Sequence, residues 1–188
     1  MGDCLRDESW AVPGLKGVTL TVLQNPLRTC VHSTGEAAFR IPLHWHASHD
    51  EIHVMLKGTV IITQGNVRKV LRPEDGACIR PRGVVHGLEF CAGEEAIMEE
   101  TTIPVEPTEQ KIIFFRNLFF PGMLQSFLGV MQVFYYGDAY PKLPTGFRWL
   151  EWPMVVVLGR WVAPLLGYQL PDKRLRLDPN RFPPNKKD

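Results

Sequence analysis

Between Leu43 and Gly58 the chain reads LHWHASHDEIHVMLKG. His44 and His46 are two residues apart, and on a β-strand residues i and i+2 face the same side. Two imidazoles therefore look into one space. Ala47 to Asp50 allow a tight connection, after which Glu51–Leu56 reads as a second strand, with Glu51, His53 and Met55 on one face and Ile52 and Val54 on the other. Gly58 ends it in a turn. Such a pair of strands tolerates few folds, because both need a common interior to face.

A later segment, PRGVVH at Pro81–His86, supplies another histidine after a Pro-Gly turn. Neutral imidazole and carboxylate are the ligands that iron, manganese, nickel, zinc and copper accept. The spacing predicts one divalent transition metal held by His44, His46, Glu51 and His86, with coordination positions left for substrate or oxygen. Iron heads the order of expectation. His53, on the same face as Glu51, is the candidate acid/base, since imidazole titrates near neutral pH. His49, in the turn, is expected in solvent, as are Arg80 and Arg82 beside Pro81, the alternative being that one of these arginines holds an anionic or carbonyl group.

These residues resemble the cupins. The first cupin motif, H-x-H, three or four residues, Glu, six residues, Gly, is matched by His44, His46, Glu51 and Gly58. The second, with P-x-G-x-x-H and a later Asn, is matched at Pro81, Gly83 and His86. Asp75-Gly76 stands where Gly-Asp is usual, and Phe90 where Asn is usual. The likeness runs from about Leu20 to Thr101. It implies a single antiparallel β-barrel or jelly roll, mainly β, with one metal on the four ligands.

The rest of the chain fits that frame. At 188 residues, 45% hydrophobic and 22% charged, it suits one soluble domain with an extension. A formal net charge of +1 leaves no global field for nucleic acid. The four cysteines form no C-x-x-C, and the first ten residues lack an apolar run. Free thiols and a cytoplasmic location are the expectation.

In order, residues 1–17 read as an N-terminal arm and 18–103 as the barrel. Strands are expected at Gly17–Asn25, Thr29–Ser33, Glu36–Arg40, the ligand strand after Pro42, Glu51–Leu56, Thr59–Gln64, Val67–Leu71, Ala77–Arg80, Val84–Phe90 and Ala96–Thr102, with a Gly65-Asn66 hairpin. Residues 104–170 form an aromatic, helical C-terminal extension. Apolar periodicity predicts helices over Glu109–Phe120 and Met123–Tyr136, a linker over 138–153, and a third apolar run over Met154–Tyr168. None reaches the ~20 apolar residues a bilayer span needs. They are expected as a lid, as packing on the barrel, as a homodimer interface, or, through 150–188, as a peripheral membrane contact. Residues 171–188 carry six basic and three acidic side chains and read as a disordered basic tail.

Met55, Cys78 or Ile79, and Phe90 are expected to wall an apolar pocket, which favours a small hydrophobic substrate. Size and the aromatic extension also resemble, more loosely, the stand-alone cupin oxidoreductases of fungal secondary-metabolite pathways. That resemblance implies oxidation of a polyketide-derived aromatic intermediate. A redox-neutral isomerase or cyclase, and a non-catalytic metal-binding accessory module, are the alternatives.

Overall fold

The computed structural model describes residues 7–144 and 146–175. Two antiparallel sheets face each other. The first is built from β1 (Glu8–Ala11), β2 (Val18–Gln24), β3 (Leu27–Ser33), β5 (Asp50–Lys57), β8 (Ala77–Arg80) and β10 (Ala96–Ile103), in the order β1-β2-β3-β10-β5-β8. The second holds β4 (Phe39–Trp45), β6 (Val60–Gln64), β7 (Val67–Leu71), β9 (His86–Phe90) and β11 (Tyr140–Pro141), in the order β11-β4-β9-β6-β7. From β3 onward the chain changes sheet at every step except the β6–β7 hairpin, as in a jelly roll.

Period-2 patterning drives this arrangement. Val18, Leu20 and Val22 of β2 are buried while Thr19 and Thr21 between them are not. From the other strands Val31, Met55, Val60, Ile62, Leu88 and Met98 join the same core. Phe39 and Phe90 stack across β4 and β9 with centroids 4.4 Å apart. Gly58 closes β5 at φ 69°, where a Cβ would stand 2.2 Å from the Glu95 carbonyl oxygen, so only glycine fits.

Two strand readings need correction. Of the stretch Glu36–Arg40, Phe39 and Arg40 run on into the ligand strand as one strand, β4, with a register irregularity between Ile41 and His44. Pro42 lies in that interval; it has no N–H for the ladder, so pairing slips there instead of ending. Glu8–Ala11, within the stretch read as an arm, pairs with β2. Of the residues expected to wall a pocket, Ile79 is exposed on β8, while Met55, Cys78 and Phe90 are buried in the core.

The helical part is bound into the barrel. Helix α1 (Glu106–Leu118) buries Ile112 in the barrel core, with Phe115 and Phe119 packed beside it. Helix α2 (Phe127–Tyr136) starts later than periodicity predicts, because the Ser126 hydroxyl accepts from Gly129 N at 3.1 Å and caps it. Residues 123–125 form a separate 3-10 turn. The supposed linker contains β11 and helix α3 (Arg148–Val155), which runs on as a π-helical stretch over Val156–Val162 and ends in the short α4 (Ala163–Leu165). Gly159 explains that packing: a Cβ there would lie 2.2 Å from the Met131 carbonyl oxygen of α2. The outer face of this unit exposes Trp149, Trp161 and Leu165, at 71%, 66% and 85%. Among the described residues no helix is long and apolar enough to cross a membrane, and no disulfide links Cys30, Cys78 and Cys91. The tail read over 171–188 lies outside the described residues from 176 onward.

Candidate metal centre

Strand alternation brings His44 inward from β4, with His46 just past its end, Glu51 and His53 from β5, Arg80 from β8 and His86 from β9. His44 and His86 are register partners, as are Glu51 and Arg80. One ligand atom from each of His44, His46, Glu51 and His86 lies within 4.8 Å of the others.

The hydrogen bonds fix how each imidazole is presented. His44 Nδ1 lies 2.7 Å from the Pro42 carbonyl oxygen, His46 Nδ1 2.7 Å from that of Asp138, and His86 Nδ1 2.9 Å from that of Val84. A carbonyl oxygen only accepts, so each Nδ1 carries the proton and donates it. In a neutral ring that leaves Nε2 as a bare lone pair. Yet His86 Nε2 is 3.0 Å from Glu51 Oε2, and His46 Nε2 is 3.1 Å from Glu51 Oε1. Acceptor facing acceptor at that distance requires a cation between them, either a proton or a metal. The donor set and its orientation therefore fit a divalent transition metal.

The electrostatics point the same way. Burial alone would lower His46, but the charge of Glu51 and the hydrogen bond to it outweigh burial and raise its pKa. His44 is lowered to about 3 by burial, then by His46 and His86. Glu51 is held well below the usual carboxylate range although burial opposes this; Lys111 is the largest lowering cause, followed by His46.

Of the three positions read from sequence as solvent-facing, two are interior. His49 is 3% exposed, its Nδ1 3.3 Å from Asp138 Oδ2 and its Nε2 3.9 Å from Glu51 Oε1. Its pKa is lowered to about 4, mainly by burial and then by His46. The carboxylate of Asp138 draws it in, which no local pattern announces. Arg80 is 1% exposed. Arg82 stays exposed, its backbone N–H on Asp50 Oδ1 at 2.8 Å. His53 is fully buried, with Nε2 3.2 Å from Glu100 Oε2 and 3.5 Å from Glu51 Oε2. Burial lowers its pKa to about 3 against the opposing pull of Glu51. Its imidazole is thus neutral near pH 7, where titration was expected.

Three functional neighbours escaped the sequence reading. Lys111 of α1 reaches Glu51 Oε1 at 2.6 Å and also pairs with Glu100. Asp138, in the left-handed region at φ 57°, accepts from Ser48 N at 2.8 Å and from the Ser48 hydroxyl. Glu151 of α3 accepts from Trp45 Nε1 at 2.8 Å and from Leu143 N at 2.9 Å. Trp45, between the two strand histidines but facing outward, stacks on Tyr140. Lys111, Asp138 and Glu151 all come from the extension, far along the chain. The only local hint is Lys111, a charge at the edge of the apolar run IIFF.

No protein-family model matches the chain, and no curated protein does either. Solved structures do. KdgF from a Halomonas species is 18% identical, covering 46% of this chain and 79% of its own, with a TM-score of 0.39. The cupin domain of Schizosaccharomyces pombe Cnp3 is 17% identical, covering 46% and 64%, with a TM-score of 0.38. A sugar phosphate isomerase of the cupin superfamily from Silicibacter pomeroyi is 16% identical, covering 52% and 69%, with a TM-score of 0.40. Each overlap spans about half of this chain.

Proposed function

We propose that the chain is a metal-dependent enzyme of the cupin kind, an oxidoreductase acting on a small organic molecule held inside the barrel. The observation that carries this reading is the shared presentation of His44, His46 and His86. Each ring is fixed through Nδ1 on a backbone carbonyl, and the ligand atoms gather around Glu51. Structural histidines have no reason to turn three lone pairs toward one carboxylate. A transition metal bound there would supply Lewis-acid or one-electron chemistry.

The chain's own residues would do the rest. Burial of His46, Glu51, His53 and His86 keeps bulk water from the reacting centre. Lys111 keeps Glu51 ionised by direct contact and also pairs with Glu100. His53 donates from Nε2 to Glu100, which leaves Nδ1 as an acceptor for a substrate hydroxyl; no group among the described residues occupies that nitrogen.

The experiment is elemental analysis of the purified chain with oxygen uptake on aromatic aldehydes and polyketide-like compounds, the substrates the looser likeness suggests. Stoichiometric iron, manganese or copper with substrate-dependent uptake supports the reading; a folded protein that takes up no metal sinks it. The second reading, a redox-neutral isomerase or cyclase, is favoured by the placing of Lys111 and His53, proton-carrying groups, against Glu51. Unchanged turnover without oxygen would select it.

A further inference from the structure

Arg80 is the largest fully buried side chain in the structure, and it makes no ion pair among the described residues. It stands directly across from Glu51 in the β5–β8 register, yet its guanidinium turns elsewhere. Nη1 donates to Gln64 Oε1 at 2.6 Å, to Cys78 Sγ at 3.0 Å and to the Ile79 carbonyl oxygen at 3.1 Å. Nε and Nη2 are buried, and no described residue accepts from them. A guanidinium does not shed its proton in a protein. A buried charge with two idle donors costs several kcal/mol.

The identity of the idle nitrogens matters. Nε and Nη2 form one edge of the guanidinium plane, the side-on fork whose parallel N–H groups match the two oxygens of a carboxylate. The neighbours tie that fork to the candidate centre. Glu51 is the cross-strand partner of Arg80, and Gln64, which holds Nη1, is the cross-strand partner of His86. Two carboxylates of the candidate centre, Glu51 and Glu100, are already paired with Lys111.

We propose that Arg80 is the anchor for a carboxylate on the substrate, which the Nε–Nη2 edge grips side-on inside the barrel beside Glu51 and His86. The substrate class is then a small organic acid. The chemical outcome rests on the metal-enzyme reading; the grip on the carboxylate does not.

The test is calorimetric titration of the full chain with benzoate and pyruvate, each against its neutral amide, with inorganic phosphate as a third probe. It is run on chelator-treated protein and again after metal loading. The carboxylates should bind at least about tenfold more tightly than the amides in both states. Arg80→Gln should abolish that preference. Gln64→Glu is the second variant: it places a carboxylate against the guanidinium, so the fold should hold or stiffen while carboxylate binding is lost. Equal binding of acid and amide, tighter binding of phosphate, no binding at all, or full binding by Gln64→Glu would each overturn the proposal. Carboxylate preference in a chain that takes up no metal would sink the enzyme reading and leave the Arg80 site standing.

Discussion

The main-chain oxygen of Asp138 accepts the Nδ1 proton of His46 at 2.7 Å, across 92 positions of sequence. The same residue's carboxylate takes Ser48 N and lies 3.3 Å from His49 Nδ1. One residue after α2 therefore sets the tautomer of one candidate ligand and the seating of the turn that follows it.

Loss of that carboxylate should weaken metal binding before it weakens the fold. Groups that orient metal-bound histidines typically contribute about 10–100-fold in affinity. Asp138→Asn, titrated with cobalt or zinc against a competing chelator, is expected to fall in that range with circular dichroism unchanged. Wild-type affinity in the variant would show that the backbone oxygen alone suffices.

Lys111 and a metal both place positive charge against Glu51, so removing one should increase dependence on the other. In metal-free protein, Lys111→Met strands two carboxylates in a largely buried setting, which costs about 3–5 kcal/mol. With metal bound the cost should shrink. The check is thermal unfolding of wild type and variant with and without chelator. The variant should show the larger chelator-induced drop in Tm.

Asp172 gives a pH dependence. Its pKa is lowered from 3.8 to about 2, chiefly by the hydrogen bond from Arg174. A carboxyl depressed in the folded state stabilises fully above its unfolded pKa, and that stability is lost as pH falls toward the folded value. The contribution should therefore be present at pH 5 and fade between about pH 4 and 2. Acid titrations of stability should be flatter in that window for Asp172→Asn; an identical slope would remove Asp172 as the cause.

Gly159 is a packing test of the extension. With the Met131 carbonyl oxygen 2.2 Å from any added Cβ, Gly159→Ala forces the π-helical stretch away from α2. Overpacking of this kind costs about 1–3 kcal/mol, measurable by urea unfolding. A neutral result would mean the two segments slide apart freely.

The four clustered ligands were legible because strand period and turn chemistry are local. His44 and His46 share a face by spacing alone, and the carbonyls of Pro42 and Val84 that orient His44 and His86 lie only two residues back. Arg80 was also within reach: on a four-residue strand, Cys78 and Arg80 must share the inward face if Ile79 is out. A general expectation that arginine seeks water overrode that alternation. Lys111, Asp138 and Glu151 were not legible, since each acts through a partner 60 or more residues away. The π-helical stretch was hidden for a similar reason: it follows from the close approach at Gly159, which periodicity does not encode.

The route from Lys111 to Asp138 has a bearing on how such a chain tolerates change in length. It leaves the barrel with its lysine on Glu51 and returns with its aspartate on His46. An insertion or deletion within α1 or α2 would rotate one of these residues off its partner by about 100° per residue. Substitutions on the outer helix faces leave that phase untouched. The tolerance of this segment to change is therefore angular: its sequence is free over much of its surface, while its residue count is pinned at both ends.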